Sequence, residues 1–427
     1  MTAVRSDPDQ PVWDVAAVRA RYPALTDGRA WLDGAAGTQV PDVVIDAITG
    51  VYRRGLGNQG AAFAVSAALG ELVDSARAAV ADLVGAHDPS CVVFGPSMTA
   101  LTYRFASALA RTWRPGDEIV LTELDHEANV SPWAQAAYRA GVVVRTAPFD
   151  RLSGSLTVEA VTALLGDRTR LVAVTAASNL LGSMPDVRAI VAAARQAGAV
   201  SFVDGVHHCP HAVVDLGWIG ADLYLTSAYK WYGPHLAAAV ARPGMLAELA
   251  VDNLSGVPSQ APVGFELGTN PFPALAGVAA AVDHLADPTG HDTAGGSWPT
   301  RPVPERRARL VVSRSAAVAH ERTLGARMVE GLRSIPGVEL LPGWDAAQRT
   351  ATATFVIRGA APAEVSASLD RDGVNVWHGN AYARSVASAL GLFESGGAVR
   401  ASVNHYNGAE DVDRLLRAVA QCAALRR

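Results

Sequence analysis

Lys230 is the single lysine of this chain, and the other 35 of its 36 Lys and Arg side chains are arginine. As solvated surface charges the two residue types serve about equally well. They part where an amine must lose its proton and attack a carbonyl, because a guanidinium stays protonated in proteins. A retained amine points to imine chemistry; the competing explanation is chance survival of one surface lysine. The surrounding stretch, Thr226-Ser227-Ala228-Tyr229-Lys230-Trp231-Tyr232-Gly233-Pro234, is apolar and aromatic and disfavours a surface position.

Other chemistry-bearing residues follow short apolar runs. Phe94 leads to Gly95-Pro96-Ser97, Leu121 to Asp125-His126, Val174 to Ser178-Asn179, Val203 to Asp204-Gly205-Val206-His207, and Leu225 to Ser227, Tyr229 and Lys230. In an open parallel sheet, ligands bind beyond the carboxyl ends of the strands. Five such exits are far more specific than any one motif. A helix opening at Ser97 offers N–H groups and a positive dipole end to a phosphate, or is an ordinary cap. Asp204, after an apolar strand, suits a protonated ring nitrogen, or caps the next turn. His126 could lie flat on a ring or satisfy a core hydrogen bond. Asn179 and His207 could hold a phenolic oxygen, and Ser227 and Tyr229 could add phosphate donors. Arg400 alternates with Val399 and Ala401, so it faces away from the apolar side, either gripping a carboxylate bidentately or meeting solvent at an edge.

The elements that would position these groups are strands at 91–94, 118–121, 142–144, 170–174, 200–203 and 222–225, alternating with Ala/Leu-rich amphipathic segments such as 101–110 and 189–197. That alternation predicts an α/β fold, a mostly parallel sheet covered by helices. Leu101, Phe105 and Leu109 recur at i, i+4, i+8 and mark a buried stripe. Residues 287–304 read as a Pro/Gly/Thr-rich surface loop, followed by a long charged helix at 304–334. Strands at 351–357 and 399–403 with helices at 362–370 and 409–421 predict a smaller C-terminal α+β domain. The expected division is an N-terminal segment 1–30 against the small domain, a large domain 31–286 and a small domain 305–427. There is no internal repeat.

Bulk properties exclude several classes. A net charge of -5 and a pI near 6.1, without a basic cluster interleaved with aromatics, leave no footprint for nucleic acid. Cys91, Cys209 and Cys422 are odd in number and far apart, so no disulfide framework is expected. No stretch approaches the roughly 18 apolar residues of a membrane span, and the N-terminus lacks the apolar core of a signal peptide; a cytoplasmic protein is expected. His207-His208-Cys209-Pro210-His211 invites a metal reading, but all its ligands come from one turn, whereas zinc sites close from two places. No metal is expected.

Together these residues resemble the fold-type I pyridoxal-phosphate enzymes of the class V aminotransferase and cysteine desulfurase family. The resemblance runs from Trp31-Leu32-Asp33-Gly34-Ala35-Ala36 through Asp125-His126-Glu127-Ala128-Asn129, Ser178-Asn179-Leu180-Leu181-Gly182, Val203-Asp204-Gly205 and Ser227-Ala228-Tyr229-Lys230 to Arg400-Ala401-Ser402. It implies pyridoxal 5'-phosphate as cofactor, with Lys230 carrying the Schiff base, Asp204 pairing the pyridinium and His126 stacking on the ring. Ser97, Met98, Asn179, His207, Ser227 and Tyr229 complete the implied cofactor set. Arg400, Ala35 and Asn380 form the implied substrate set. Thr269 would reach the phosphate of a partner subunit, which implies a homodimer.

The departures bear on the reaction. Cysteine desulfurases carry a nucleophilic Cys on a C-terminal loop, and Tyr382 of Val376-Trp377-His378-Gly379-Asn380-Ala381-Tyr382-Ala383 falls in its place. A phenol cannot form a persulfide. The family's usual Gln is His207, and its usual His before the lysine is Tyr229. The expected activity is therefore cleavage at Cβ of an α-amino acid, a C–S lyase outcome without a persulfide cysteine. Transamination and epimerisation need the same residues, and a non-catalytic cofactor-binding regulator is the alternative of another class.

Overall fold

The computed structural model describes residues 13–256, 262–290, 305–344, 346 and 348–426. Parts of the expected N-terminal segment (1–12) and of the expected 287–304 loop (291–304) lie outside the described residues. Seven strands form the large sheet: β1 (Val92–Gly95), β2 (Glu118–Thr122), β3 (Val143–Ala147), β4 (Thr169–Thr175), β5 (Val200–Asp204), β6 (Leu223–Ser227) and β7 (Ala237–Ala241). Their spatial order is β3-β2-β4-β5-β6-β7-β1. Six run parallel, and β7 lies antiparallel between β6 and β1. No strand is expected at 237–241 from the sequence, because its alanines favour helix. Here burial on both faces overrides that preference: all five residues are buried.

Side-chain alternation divides the sheet between two cores. Val120, Val172, Val174, Val203 and Tyr224 point into one, with Leu69, Val80 and Leu275 of the covering helices. Ile119, Leu121, Leu171, Ala173, Phe202, Leu223 and Leu225 point into the other, with Leu101, Phe105 and Trp133. The period of two in each strand is thus absorbed by a helical layer on either face. The Leu101, Phe105, Leu109 stripe lies in the second core, as its spacing predicts.

The small sheet consists of β8 (Val338–Leu340), β9 (Thr352–Ile357), β10 (Trp377–Gly379) and β11 (Ala398–Ser402), antiparallel in the order β10-β11-β9-β8. β11 is an interior strand, and all its residues are buried. Arg400 is therefore not the solvent-facing edge arginine that the sequence left as an alternative. The helix Arg306–Ser334 joins the two regions. Its start is pinned to the large sheet's helices, Arg306 to Asp82 at 2.8 Å and Asp283 at 3.0 Å. Its later turns place Leu324, Met328 and Leu332 against Phe355, Val399 and Leu415. Ahead of the large sheet, the Trp13 indole donates to the His405 carbonyl at 2.8 Å, and Ala30–Trp31 pairs in parallel with Val374–Asn375. No helix among the described residues is long and apolar enough to cross a membrane.

Candidate active site

The carboxyl ends of β1, β2, β4, β5 and β6 meet at one edge of the sheet, and the side chains singled out there converge. Ser97 caps the helix Met98–Ala110, accepting from the Ala100 N–H at 3.1 Å. Asp204 ends β5, Ser227 ends β6, and one tight turn later stands Lys230. Ser97, Met98, Asp204, His207 and Ser227 line an inner hollow of about 80 Å³. It shares His126, Asn179, Tyr229 and Lys230 with a chamber of about 500 Å³ that Ala35 and Arg400 also line. Gly205 makes the β5 exit possible: a Cβ there would stand 2.0 Å from the ring of buried Tyr224.

Burial tunes the groups at the floor. It pushes the Lys230 amine down to about 7, helped by the Arg400 charge and opposed by Asp204. The amine donates to the Ala35 carbonyl. A lysine so placed is neutral in much of the population near neutral pH, as a nucleophile or base requires. Burial raises Asp204 to about 6, while the Val206 N–H at 2.9 Å and Lys230 pull it back. Asp204 thus does cap its turn, and it also faces the hollow. His126 falls to about 4, through burial first and then Lys230 and Arg400. Its Nδ1 accepts from the Ala128 N–H at 3.0 Å, which leaves the proton on Nε2. Beneath it, burial lifts Asp125 to about 8 despite bonds from Thr122 and, at 2.6 Å, Asn129.

The small sheet supplies the opposite wall. Arg400 Nη1 donates to the Asn179 carbonyl at 2.8 Å, and its Nε has no partner among the described residues. Burial lowers the guanidinium to about 10, so it stays charged at neutral pH. His207 Nε2 lies 3.1 Å from the hydroxyls of both Thr350 and Thr352. Its Nδ1 and the Asn179 Oδ1 are buried without partners among the described residues. Orphaned polar atoms of this kind carry a desolvation cost of about 1–3 kcal/mol each. Here they line a hollow where a bound group with its own polar atoms can satisfy them. A phosphorylated pyridine aldehyde fits this set, with a carboxylate for the ring nitrogen, the His207 Nδ1 for a phenolic oxygen, a helix start for the phosphate and an amine for the aldehyde.

The outer wall is the loop after β10. Ala381 and Tyr382 both adopt left-handed backbone, φ 49° and 57°, at a cost on the order of 1–3 kcal/mol each. The loop is held by neighbours within the site. Asn179 Nδ2 donates to the Ala381 carbonyl at 2.7 Å, and the Glu127 N–H to the Tyr382 carbonyl at 2.9 Å. Tyr382 stands beside His126, ring centroids 5.5 Å apart. Asn380, expected to touch substrate, instead turns into its own loop and accepts from the Tyr382 N–H at 3.0 Å. A short polar side chain beside two left-handed residues meets its local backbone first. Thr269 does not reach Lys230 of its own chain; it is exposed beside a separate hollow with Gly95 and Pro96.

The clustered histidines bond different partners, although the His207 and His211 rings meet edge-on with centroids 5.0 Å apart. His208 contacts the Tyr224 hydroxyl at 3.0 Å, and His211 contacts Glu321 at 2.7 Å. Among the described residues, no group of three His, Cys, Asp or Glu is arranged to hold a metal. All three cysteines are buried, and burial pushes the Cys209 thiol up to about 11. None lines the chamber. Several contributors are not apparent from sequence. Thr350 and Thr352 anchor His207 across more than 140 residues, and Tyr103 and Trp377 join Tyr382 on the chamber wall. Tyr103 had a local signal, since it lies two residues past Leu101 and so off the buried stripe.

Comparison with known proteins agrees with this geometry. The aminotransferase class-V family model matches residues 30–294 and 310–415. A protein of Pseudomonas aeruginosa named a probable cysteine desulfurase is 32% identical over 426 residues, covering 96% of this chain and 98% of that protein. The crystal structure of the cysteine desulfurase CsdA from Escherichia coli superposes with a TM-score of 0.82 at 26% identity, covering 98% of this chain and all of that one. A cysteine desulfurase from Thermococcus onnurineus shares the fold at 23% identity, with a TM-score of 0.84 over 96% of this chain and 98% of its own. The chain belongs to the class V aminotransferase family, and it is a fold-type I enzyme dependent on pyridoxal phosphate.

Proposed function

We infer that this enzyme cleaves the Cβ–S bond of a sulfur-containing α-amino acid and uses no protein persulfide. The observation that carries the reading is the chamber itself. It joins a neutralisable amine to a buried guanidinium, and Tyr382 stands on its wall with no cysteine anywhere along it. When bound, pyridoxal phosphate supplies an aldehyde for an amine and a ring that accepts the electrons released at Cα.

The residues then divide the work. Lys230 would hold the aldehyde, yield it to the substrate amine and, as a free amine, take the Cα proton. Asp204 would keep the ring nitrogen protonated, and His126, neutral at its depressed pKa, would cover the ring face. His207 would meet the phenolic oxygen through its orphaned Nδ1, with Asn179 alongside it. Ser97, Met98, Ser227 and Tyr229 would hold the phosphate end, with Thr269 of a second copy joining them in a homodimer. Arg400 would fix the substrate carboxylate, with Ala35 alongside, so that the Cα–H bond points at Lys230. The substrate class of this reading is a small-molecule amino acid, and its domain division is an N-terminal segment 1–30, a large domain 31–286 and a small domain 305–427.

The test is borohydride reduction of the purified yellow protein, followed by peptide mapping and by product analysis with sulfur amino acids. Reduction should fix the cofactor on Lys230, and turnover should release a thiol or sulfide together with pyruvate. An unmodified Lys230 removes the reading, and a new amino acid or a racemised substrate in place of pyruvate replaces it.

A further inference from the structure

We propose that the substrate carries a bulky, uncharged apolar or aromatic group on its sulfur, a thioether of cysteine rather than cysteine itself. This rests on the C–S lyase reading and concerns the outer half of the same chamber. At about 500 Å³, the chamber is in the range that encloses drug-sized ligands rather than one small amino acid. The cofactor ring takes the inner end, beside His126. Beyond it the wall is aromatic: Tyr103, Trp377 and Tyr382, with Pro132. Aromatic rings there offer large apolar area and little conformational entropy to lose on binding.

Charge narrows the choice. The acidic side chain at the outer end is Glu127, whose carboxylate accepts from the Ser131 hydroxyl at 2.6 Å, so an anionic substituent is disfavoured. The basic side chains Lys230 and Arg400 are committed to the amino-acid end. The wall is also preformed. The Tyr382 carbonyl is fixed by the Glu127 N–H and its own N–H by Asn380, in left-handed backbone. A loop so held builds a surface for a substituent and is ill suited to swing as a carrier arm.

The reaction then balances as R–S–CH2–CH(NH3+)–COO− plus water giving R–SH, pyruvate and ammonium. The electron pair of the broken C–S bond leaves with sulfur, which takes a proton, and no oxidant or reductant is needed.

The experiment titrates the holoenzyme with S-benzyl-L-cysteine, L-cysteine and S-carboxyethyl-L-cysteine, following the cofactor's absorption for Kd and thiol and pyruvate for kcat and KM. S-benzyl-L-cysteine should bind at least about tenfold tighter than L-cysteine, roughly the worth of 1.4 kcal/mol, and the S-carboxyethyl compound should gain nothing. Tyr382→Ala and Trp377→Ala should each erase most of the S-benzyl advantage through KM rather than kcat. Tyr138→Ala, on the outer face of a neighbouring helix and 88% exposed, should leave it intact. Equal or weaker binding of S-benzyl-L-cysteine, an unchanged ratio in both wall variants, or tighter binding of the S-carboxyethyl compound overturns the proposal. Preferential binding without thiol release keeps the proposal and removes the lyase reading. Thiol release without the preference does the reverse.

Discussion

At the inner end of the chamber, Lys230, Asp204 and Arg400 are buried and His126 is half-buried, and all but Arg400 leave strands of the large sheet. At the outer end, the wall is a loop of the small sheet, with Trp377 45% and Tyr382 66% exposed. The inner end is built by regular structure: the β exits point their side chains at the same hollow, and burial shifts the protonation of the titratable ones. The outer end is built by exception, two left-handed residues held by bonds from Asn179 and Glu127. The first arrangement fixes what happens at Cα and tolerates little change. The second decides what may hang from Cβ.

The sharpest way to break this division is at the inner end. Lys230→Ala should lower turnover by about 10³-fold or more, because both the cofactor anchor and the base are lost; pyruvate formation measures it. Asp204→Asn should retain bound cofactor by its absorption yet lose roughly 10²–10³-fold in kcat, on the scale of removing one preorganised electrostatic group. Near-normal rates in that variant would leave Asp204 as a turn cap only.

How much of this was legible in the sequence follows the same line. The strand exits carrying His126, Asn179, Asp204 and Lys230 could be read because apolar runs and polar exits are local signals. β7 could not, since an alanine-rich segment becomes a strand only when neighbours cover both its faces. Arg400 was placed on the right strand, but its burial depends on β9 and β10 lying on either side. The anchoring of His207 by Thr350 and Thr352 depends on contacts no window of sequence contains, whereas the turn of Asn380 into its own loop is a contact two residues long. Cys209 shows the converse, a local contact: its N–H bonds the Gly205 carbonyl four residues back at 2.8 Å.

A smaller effect sharpens the electrostatics of the inner end. Lys230 is held at about 7 against an ordinary 10.5. Between these values the unfolded chain binds more protons than the folded, cofactor-free protein, so stability falls as pH drops through that window. Thermal unfolding of the cofactor-free protein should show this loss from pH 10 to pH 7, and Lys230→Met should flatten it. Equal slopes in the two proteins would mean the amine is solvated.

The central claim, cleavage at Cβ without a sulfur carrier on the protein, is met most directly by the intact mass of the enzyme during turnover of L-cysteine without reductant. The account predicts an unchanged protein mass while pyruvate and sulfide accumulate in equal amounts. One added sulfur mapped to Cys91, Cys209 or Cys422, and lost together with activity when that cysteine is replaced by serine, would contradict it.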